Sequence, residues 1–149
     1  MEINWVLKPF DTLTANELYA IMQLRNTVFV VEQNCVYQDA DDKDQLSFHL
    51  MGWAENVLAA YTRIIPQGIS YAQASIGRVV TSPKYRGTGI GRALMKESID
   101  RAFSQFNCTE MKIGAQVYLE KFYSSLGFVQ TSEQYLEDNI PHIEMLLKK

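Results

Sequence analysis

The stretch Tyr85-Arg86-Gly87-Thr88-Gly89-Ile90-Gly91-Arg92-Ala93-Leu94 puts three glycines into five positions between two arginines. Upstream, Tyr71 to Thr81 reads as a long strand that Pro83 ends. Downstream, Leu94, Met95, Ile99, Ala102, Phe103 and Phe106 recur at helical spacing. The glycines therefore sit at a strand-to-helix junction. The first turn of a helix offers N–H groups without intrahelical partners and the positive end of the helix dipole. Gly87, Gly89 and Gly91 have no Cβ to keep a ligand away, and Arg86 and Arg92 add positive charge. Such a run can cradle a phosphate or pyrophosphate. The alternative is a glycine-rich turn that lets helix and strand pack closely.

Two common phosphate motifs do not fit. A P-loop requires Lys and then Ser or Thr after its last glycine, and here Gly91 is followed by Arg92-Ala93. A dinucleotide-binding fingerprint is G-x-G-x-x-G, and here the spacing is G-x-G-x-G.

Around this stretch, 149 residues suit one domain, 1–149, with a single sizeable core. Hydrophobic residues make up 47% and charged residues 21%, an ordinary globular mix. A net charge of −3 argues against a general nucleic-acid partner. No apolar run approaches the ~18 residues of a membrane span. The opening MEINWVLKPF lacks the apolar core of a signal peptide. Two cysteines, Cys35 and Cys108, stand far apart in no metal-like spacing, which suits a reducing cytoplasm and no metal.

Ile3 to Leu7 reads as a strand. Thr14 to Glu17 matches a capping box, and Leu18, Ile21, Met22, Arg25, Val28 and Phe29 follow at helical spacing. Gln33 to Gln45 is loop-like. Ser47 to Ala54 and Val57 to Ile65 read as strands joined at Glu55-Asn56. Glu110 to Ala115 is a strand, Tyr118 to Leu126 a short helix stopped by Gly127, and Phe128 to Thr131 and Ile143 to Leu147 are strands. The class is α/β in the mixed, α+β sense.

Arg86-Gly87-Thr88-Gly89-Ile90-Gly91 also resembles the R/Q-x-x-G-x-G/A motif of the GNAT family of acyl-CoA-dependent N-acetyltransferases. Val79 to Tyr85 resembles the approach to that motif. Gln116, Phe122, Tyr123, Gly127 and Phe128 resemble the second motif, with Gln116 where most members carry Asn. Leu24 to Cys35, Tyr37 to Asp39, Gly114 to Gln116 and Ile140 to Ile143 resemble the ElaA subfamily.

The resemblance implies the GNAT fold, a mostly antiparallel mixed central sheet of about six or seven strands with helices on both faces. It implies acetyl-CoA as co-substrate. The backbone of Arg86, Gly87, Thr88, Gly89, Ile90 and Gly91 would hold its pyrophosphate, and the backbone of Val79, Val80 and Thr81 its pantetheine arm. Gln116 and Tyr123 would complete the cofactor site. A strand bulge beside Val79 would aim an N–H at the thioester carbonyl as an oxyanion donor. Tyr123 stands at the general-acid position of the family; as a bare residue, without the resemblance, it reads as a core aromatic on a short amphipathic helix. An alkylammonium must lose a proton before it attacks. His142 or Glu32 is the candidate base, since imidazole titrates near ~6.5, while Glu32 also reads as a salt-bridge partner of Arg25 or Arg78. The acceptor implied is a primary amine on a small molecule or peptide, and small family members often pair as homodimers. A non-catalytic module that binds or senses acyl-CoA is the alternative.

Two further expectations follow. Glu32, Asp39, Asp41, Asp42 and Asp44 against Lys43 make the loop after the first helix either a lining that favours a cationic acceptor or a solvated acidic loop. Thr88 and Ile90 are expected to tolerate substitution better than Gly89 or Gly91. Cys35 reads as packing.

Overall fold

The computed structural model describes residues 2–149. Its first four strands, β1 (Asn4–Pro9), β2 (Phe48–Ala54), β3 (Val57–Ile65) and β4 (Ser75–Thr81), pair antiparallel in chain order. Between β1 and β2 the chain runs through helix α1 (Ala15–Arg25) and a wider π-helical segment, Asn26–Glu32. The capping box is present: Glu17 N–H donates to Thr14 Oγ1, and Thr14 N–H donates to the Glu17 carboxylate.

Strand side chains alternate between the two faces of the sheet, and both faces are covered. Leu50 packs in one core with Leu94, Met95 and Ala102 of helix α2 (Ile90–Phe106). Its neighbour Met51 packs in the other with Ile21, Leu24 and Val28. Burial on both sides explains why β3, VLAAYTRII, is apolar nearly throughout instead of alternating.

A second sheet follows α2. Strand β5 (Glu110–Gln116) leads through a 3₁₀ turn into the short helix α3 (Glu120–Ser124), and then come β6 (Val129–Gln130), β7 (Tyr135–Glu137) and β8 (Ile140–Lys148). The nine-residue β8 pairs antiparallel with β5, β6 and β7. The eight strands thus form two four-stranded, mostly antiparallel sheets, as the resemblance to the GNAT fold implies. The tally exceeds the six or seven expected because β7 is three residues long and lies inside a polar stretch. Residues 71–74 are not strand: the long strand expected from Tyr71 starts at Ser75.

The sheets meet at one parallel bridge, Ala74 to Met111, where Lys112 N–H donates to the Ala74 carbonyl at 2.9 Å. Beyond it β4 and β5 do not pair. That gap opens the functional cleft and leaves one edge of β4 without a strand partner.

Candidate active site

The glycine run folds as its spacing suggests. Gly87 and Gly89 adopt φ of 80° and 82°, a left-handed conformation that side chains resist. Gly89 is the N-cap of α2, with no side-chain cap and no acidic residue in the first turn. The helix end is therefore open to an anion. Gly91 is the informative glycine. Its φ is ordinary, and a Cβ built there would meet nothing within 4 Å. Neither backbone conformation nor packing within the chain requires glycine at this position. The open space over this position suits close approach of a bound group and does not call for a packing turn. Ile90, by contrast, is 4% exposed and belongs to the core, so its side chain does not tolerate change as expected.

Neither flanking arginine points freely at this cradle. Arg92 donates to Ser125 Oγ at 2.8 Å and covers the Phe122 ring. Arg86 forms a two-pronged pair with Glu32, at 2.6 and 2.8 Å. Glu32 therefore pairs with neither Arg25 nor Arg78. The hydrogen bond from Arg86 holds its carboxyl below the usual carboxylate range, which weakens it as a base.

The edge of β4 carries the expected irregularity. Tyr61 faces Val80 and Arg63 faces Gly77, so β4 fits one extra residue into this interval. Arg78 takes up the bulge with φ of 51°, a strained value for a non-glycine residue. Val79 lines the cleft, the side chain of Val80 is buried beside α1, and Thr81 pairs with Ala60. The bulge turns the backbone at Gly77–Val79, where the resemblance places the oxyanion donor.

The cleft holds about 580 Å³ and runs between β4 and β5. Gln116, the last residue of β5, sits opposite His142 in the β5–β8 register. Tyr123, from α3, lines the same cleft. Its ring is wedged edge-on between Phe122 and Phe128, with centroids at 5.3 and 5.9 Å. Tyr123 is 5% exposed, and its hydroxyl meets no hydrogen-bond partner among the described residues. Burial, with a smaller contribution from Tyr118, pushes the phenol up to about 12, so it keeps its proton at neutral pH.

His142 is 7% exposed. Its Nδ1–H donates to the Ile140 carbonyl at 2.7 Å, which leaves the lone pair of the neutral ring on Nε2, 3.4 Å from Glu137 Oε2. Tyr135 stacks on the imidazole at 5.9 Å. Tyr123, His142 and Gln116 thus converge on one cleft, while Glu32 lies outside its lining.

The acidic loop is neither a solvated face nor an open anionic lining. Asp39 and Asp44 pair with Arg25, Asp41 and Asp44 with Arg63, and Asp39 and Asp41 with Arg78. Three arginines thus neutralise three aspartates, and Arg25 is 0% exposed. His49 lies within this network: its Nε2–H donates to the Asp44 carbonyl, and its Nδ1 accepts from the Tyr61 hydroxyl. These pairings span long sequence intervals, so the sequence offered only the acidic count. Arg78 at the bulge and Glu137 beside His142 were also missed. The one local signal for Glu137 was Asp138-Asn139, a hairpin dipeptide; both residues are left-handed here.

Fold and cleft together match the layout that the resemblance implies for an acyl-CoA-dependent transferase. The acetyltransferase (GNAT) domain pattern matches residues 14–149, and the chain belongs to that family. Within it, the chain is 40% identical to ElaA of Escherichia coli over 145 residues, covering 96% of this chain and 95% of that protein. The crystal structure of Escherichia coli ElaA superposes with a TM-score of 0.92 at 38% identity, covering 99% of this chain and 100% of that one. The crystal structure of an acyl-CoA N-acyltransferase from Pseudomonas aeruginosa superposes with a TM-score of 0.93 at 42% identity, covering 98% of this chain and 99% of that one.

Proposed function

We propose that the chain moves an acetyl group from acetyl-CoA directly to a primary amine of a small molecule or peptide. The observation that carries this reading is the convergence of the protonated Tyr123 hydroxyl and the Nε2 of His142 on one cleft beside the bulged edge of β4.

The backbone N–H groups of Gly87–Arg92 would hold the pyrophosphate, and the unpaired edge of β4 the pantetheine arm. When bound, acetyl-CoA supplies an acyl thioester. His142 Nε2 takes a proton from the acceptor ammonium, freeing the nitrogen lone pair. The C–N bond forms, the C–S bond breaks, and the electron pair leaves with sulfur. Of the two protons the nitrogen sheds, one goes to His142 and on to solvent, and the other ends on the departing sulfur.

Tyr123 acts here mainly as a hydrogen-bond donor. A phenol near 12 would give its proton to a thiolate, whose conjugate acid titrates near ~8.5, only at an uphill cost of about 5 kcal/mol. A hydrogen bond to the developing thiolate avoids that cost. Backbone N–H groups at the bulge supply the oxyanion donor. Both cysteines are unpaired, which supports a reducing, cytoplasmic setting.

The test is release of free CoA thiol from acetyl-CoA across a panel of primary amines. Release with at least one amine supports the reading. Thermal stabilisation by acetyl-CoA without release from any amine favours a binding module instead.

A further inference from the structure

The hairpin joining β7 to β8 brings two acceptor groups face to face. Glu137 Oε2 lies 3.4 Å from His142 Nε2. The tautomer of His142 is set from the other side of the ring, because Nδ1 donates its hydrogen to the Ile140 carbonyl. In the neutral ring a nitrogen lone pair therefore faces a carboxylate with no hydrogen between them. That arrangement is repulsive until a proton or an N–H donor comes between them. His142 is nine-tenths buried and lines the cleft, whereas the Glu137 side chain is 61% exposed at the cleft wall.

The charges of the cleft sharpen the point. Asp41, also in its wall, is neutralised by Arg63 and Arg78. Lys43 donates to Ser70. Among the described residues Glu137 meets no lysine or arginine within ion-pair distance. Its negative charge is left facing the cleft beside the one buried imidazole that lines it.

We infer that Glu137 is the acceptor anchor: its carboxylate holds the substrate's ammonium against His142 Nε2 and so selects cationic alkylamines over neutral nucleophiles. This rests on the proposed transfer to an amine. An alkylammonium carries three N–H donors. One reaches Glu137 and a second reaches Nε2, which relieves the lone-pair conflict and sets up the proton removal that His142 performs. Asp138, next in the turn, adds negative charge to the same wall. The Tyr135 ring, stacked on His142, keeps the imidazole plane in place.

Two CoA thioethers test this without turnover, S-(2-aminoethyl)-CoA and S-(2-hydroxyethyl)-CoA, which differ by an ammonium in place of a hydroxyl close to the sulfur. Titration calorimetry at pH 7 and low salt should show the aminoethyl compound binding the wild-type chain about ten times more tightly. Glu137→Gln should abolish that preference, leave the affinity for the hydroxyethyl compound unchanged and leave the melting temperature unmoved. Glu144→Gln, which removes an acid paired with Lys112, should keep the preference. Raising NaCl to 0.5 M should shrink it in the wild type. Equal binding of both thioethers by the wild type, or a preference that survives Glu137→Gln, overturns the inference alone. Failure of both thioethers to bind overturns the cofactor reading and the inference with it.

Discussion

Arg86 and Glu32 stand 54 residues apart in the chain and meet in a two-pronged ion pair, Nη1 to Oε2 at 2.8 Å and Nη2 to Oε1 at 2.6 Å. The pair ties the end of the π-helical segment to the glycine loop at the start of α2. Glu32 therefore holds an arginine that a pyrophosphate would otherwise attract.

Glu32→Gln separates the two roles open to this residue. With the pair released, Arg86 is free for phosphate, and acetyl-CoA should bind roughly two- to fivefold more tightly, a small effect because exposed ion pairs are weak. The turnover number should stay within about twofold. Calorimetry and steady-state kinetics read the two quantities. A fall in kcat of ~10²-fold or more would make Glu32 the base after all.

Tyr123→Phe removes a hydroxyl and keeps the ring between Phe122 and Phe128. Since the hydroxyl meets no partner among the described residues, the melting temperature should barely change. The kcat should fall about 10²-fold with the KM for acetyl-CoA unchanged, the signature of an interaction made only in the transition state. An unchanged rate removes Tyr123 from the mechanism.

The last three positions of the glycine run should respond in different ways. Gly91→Ala places a Cβ in open space within a helix and should raise stability by up to about 1 kcal/mol, while acetyl-CoA binding weakens. Gly89→Ala must adopt φ near 82° and should cost about 1–2 kcal/mol. Ile90→Ala opens the core and should cost about 2–5 kcal/mol. Thermal melts with and without acetyl-CoA separate fold from binding. Unweakened binding in Gly91→Ala would remove the cradle.

Stability should fall in two stages on acidification. Burial holds His49 below its ordinary value, so the unfolded chain takes up this proton first and stability starts to drop as pH falls below ~6.5. Burial alone would raise Asp44 and Asp41, but hydrogen bonds and charge from the arginines outweigh it and hold both carboxyls low. Their contribution is complete above the unfolded value near ~3.9 and is lost as pH falls below it. Melting temperatures from pH 8 to 3 should trace a shallow decline and then a steep one. Asp44→Asn should cost about 3–5 kcal/mol at pH 7, because Arg25 and Arg63 lose a buried counter-charge. A flat profile down to pH 4, or a neutral Asp44→Asn, would contradict the assignment.

Much of the scaffold was legible before any coordinates. The capping box at Thr14 and Glu17, the turn at Glu55-Asn56 and the left-handed glycine at Gly127 are local devices set by a few neighbouring residues. Strand β4 was read too long because Tyr71 to Ala74 has strand-like residues but no continuous ladder to join. The short strand β7 was not read at all: three residues carry almost no periodicity, and β7 exists because β8 offers a partner.

By its spacing alone, the sequence placed a glycine-rich strand-to-helix junction at Gly87–Gly91, where left-handed backbone and an uncapped helix end follow from residue type within one turn. It also carried the family resemblance that marked Tyr123, Gln116 and His142. Tertiary structure alone decided what the charges do. Asp39, Asp41 and Asp44 proved to be counter-charges to three arginines, Glu32 a partner of Arg86, and Glu137 a carboxylate beside His142 with no lysine or arginine partner among the described residues. A charge acquires its role from the group across from it, and for most of these residues that group lies tens of positions away in the chain.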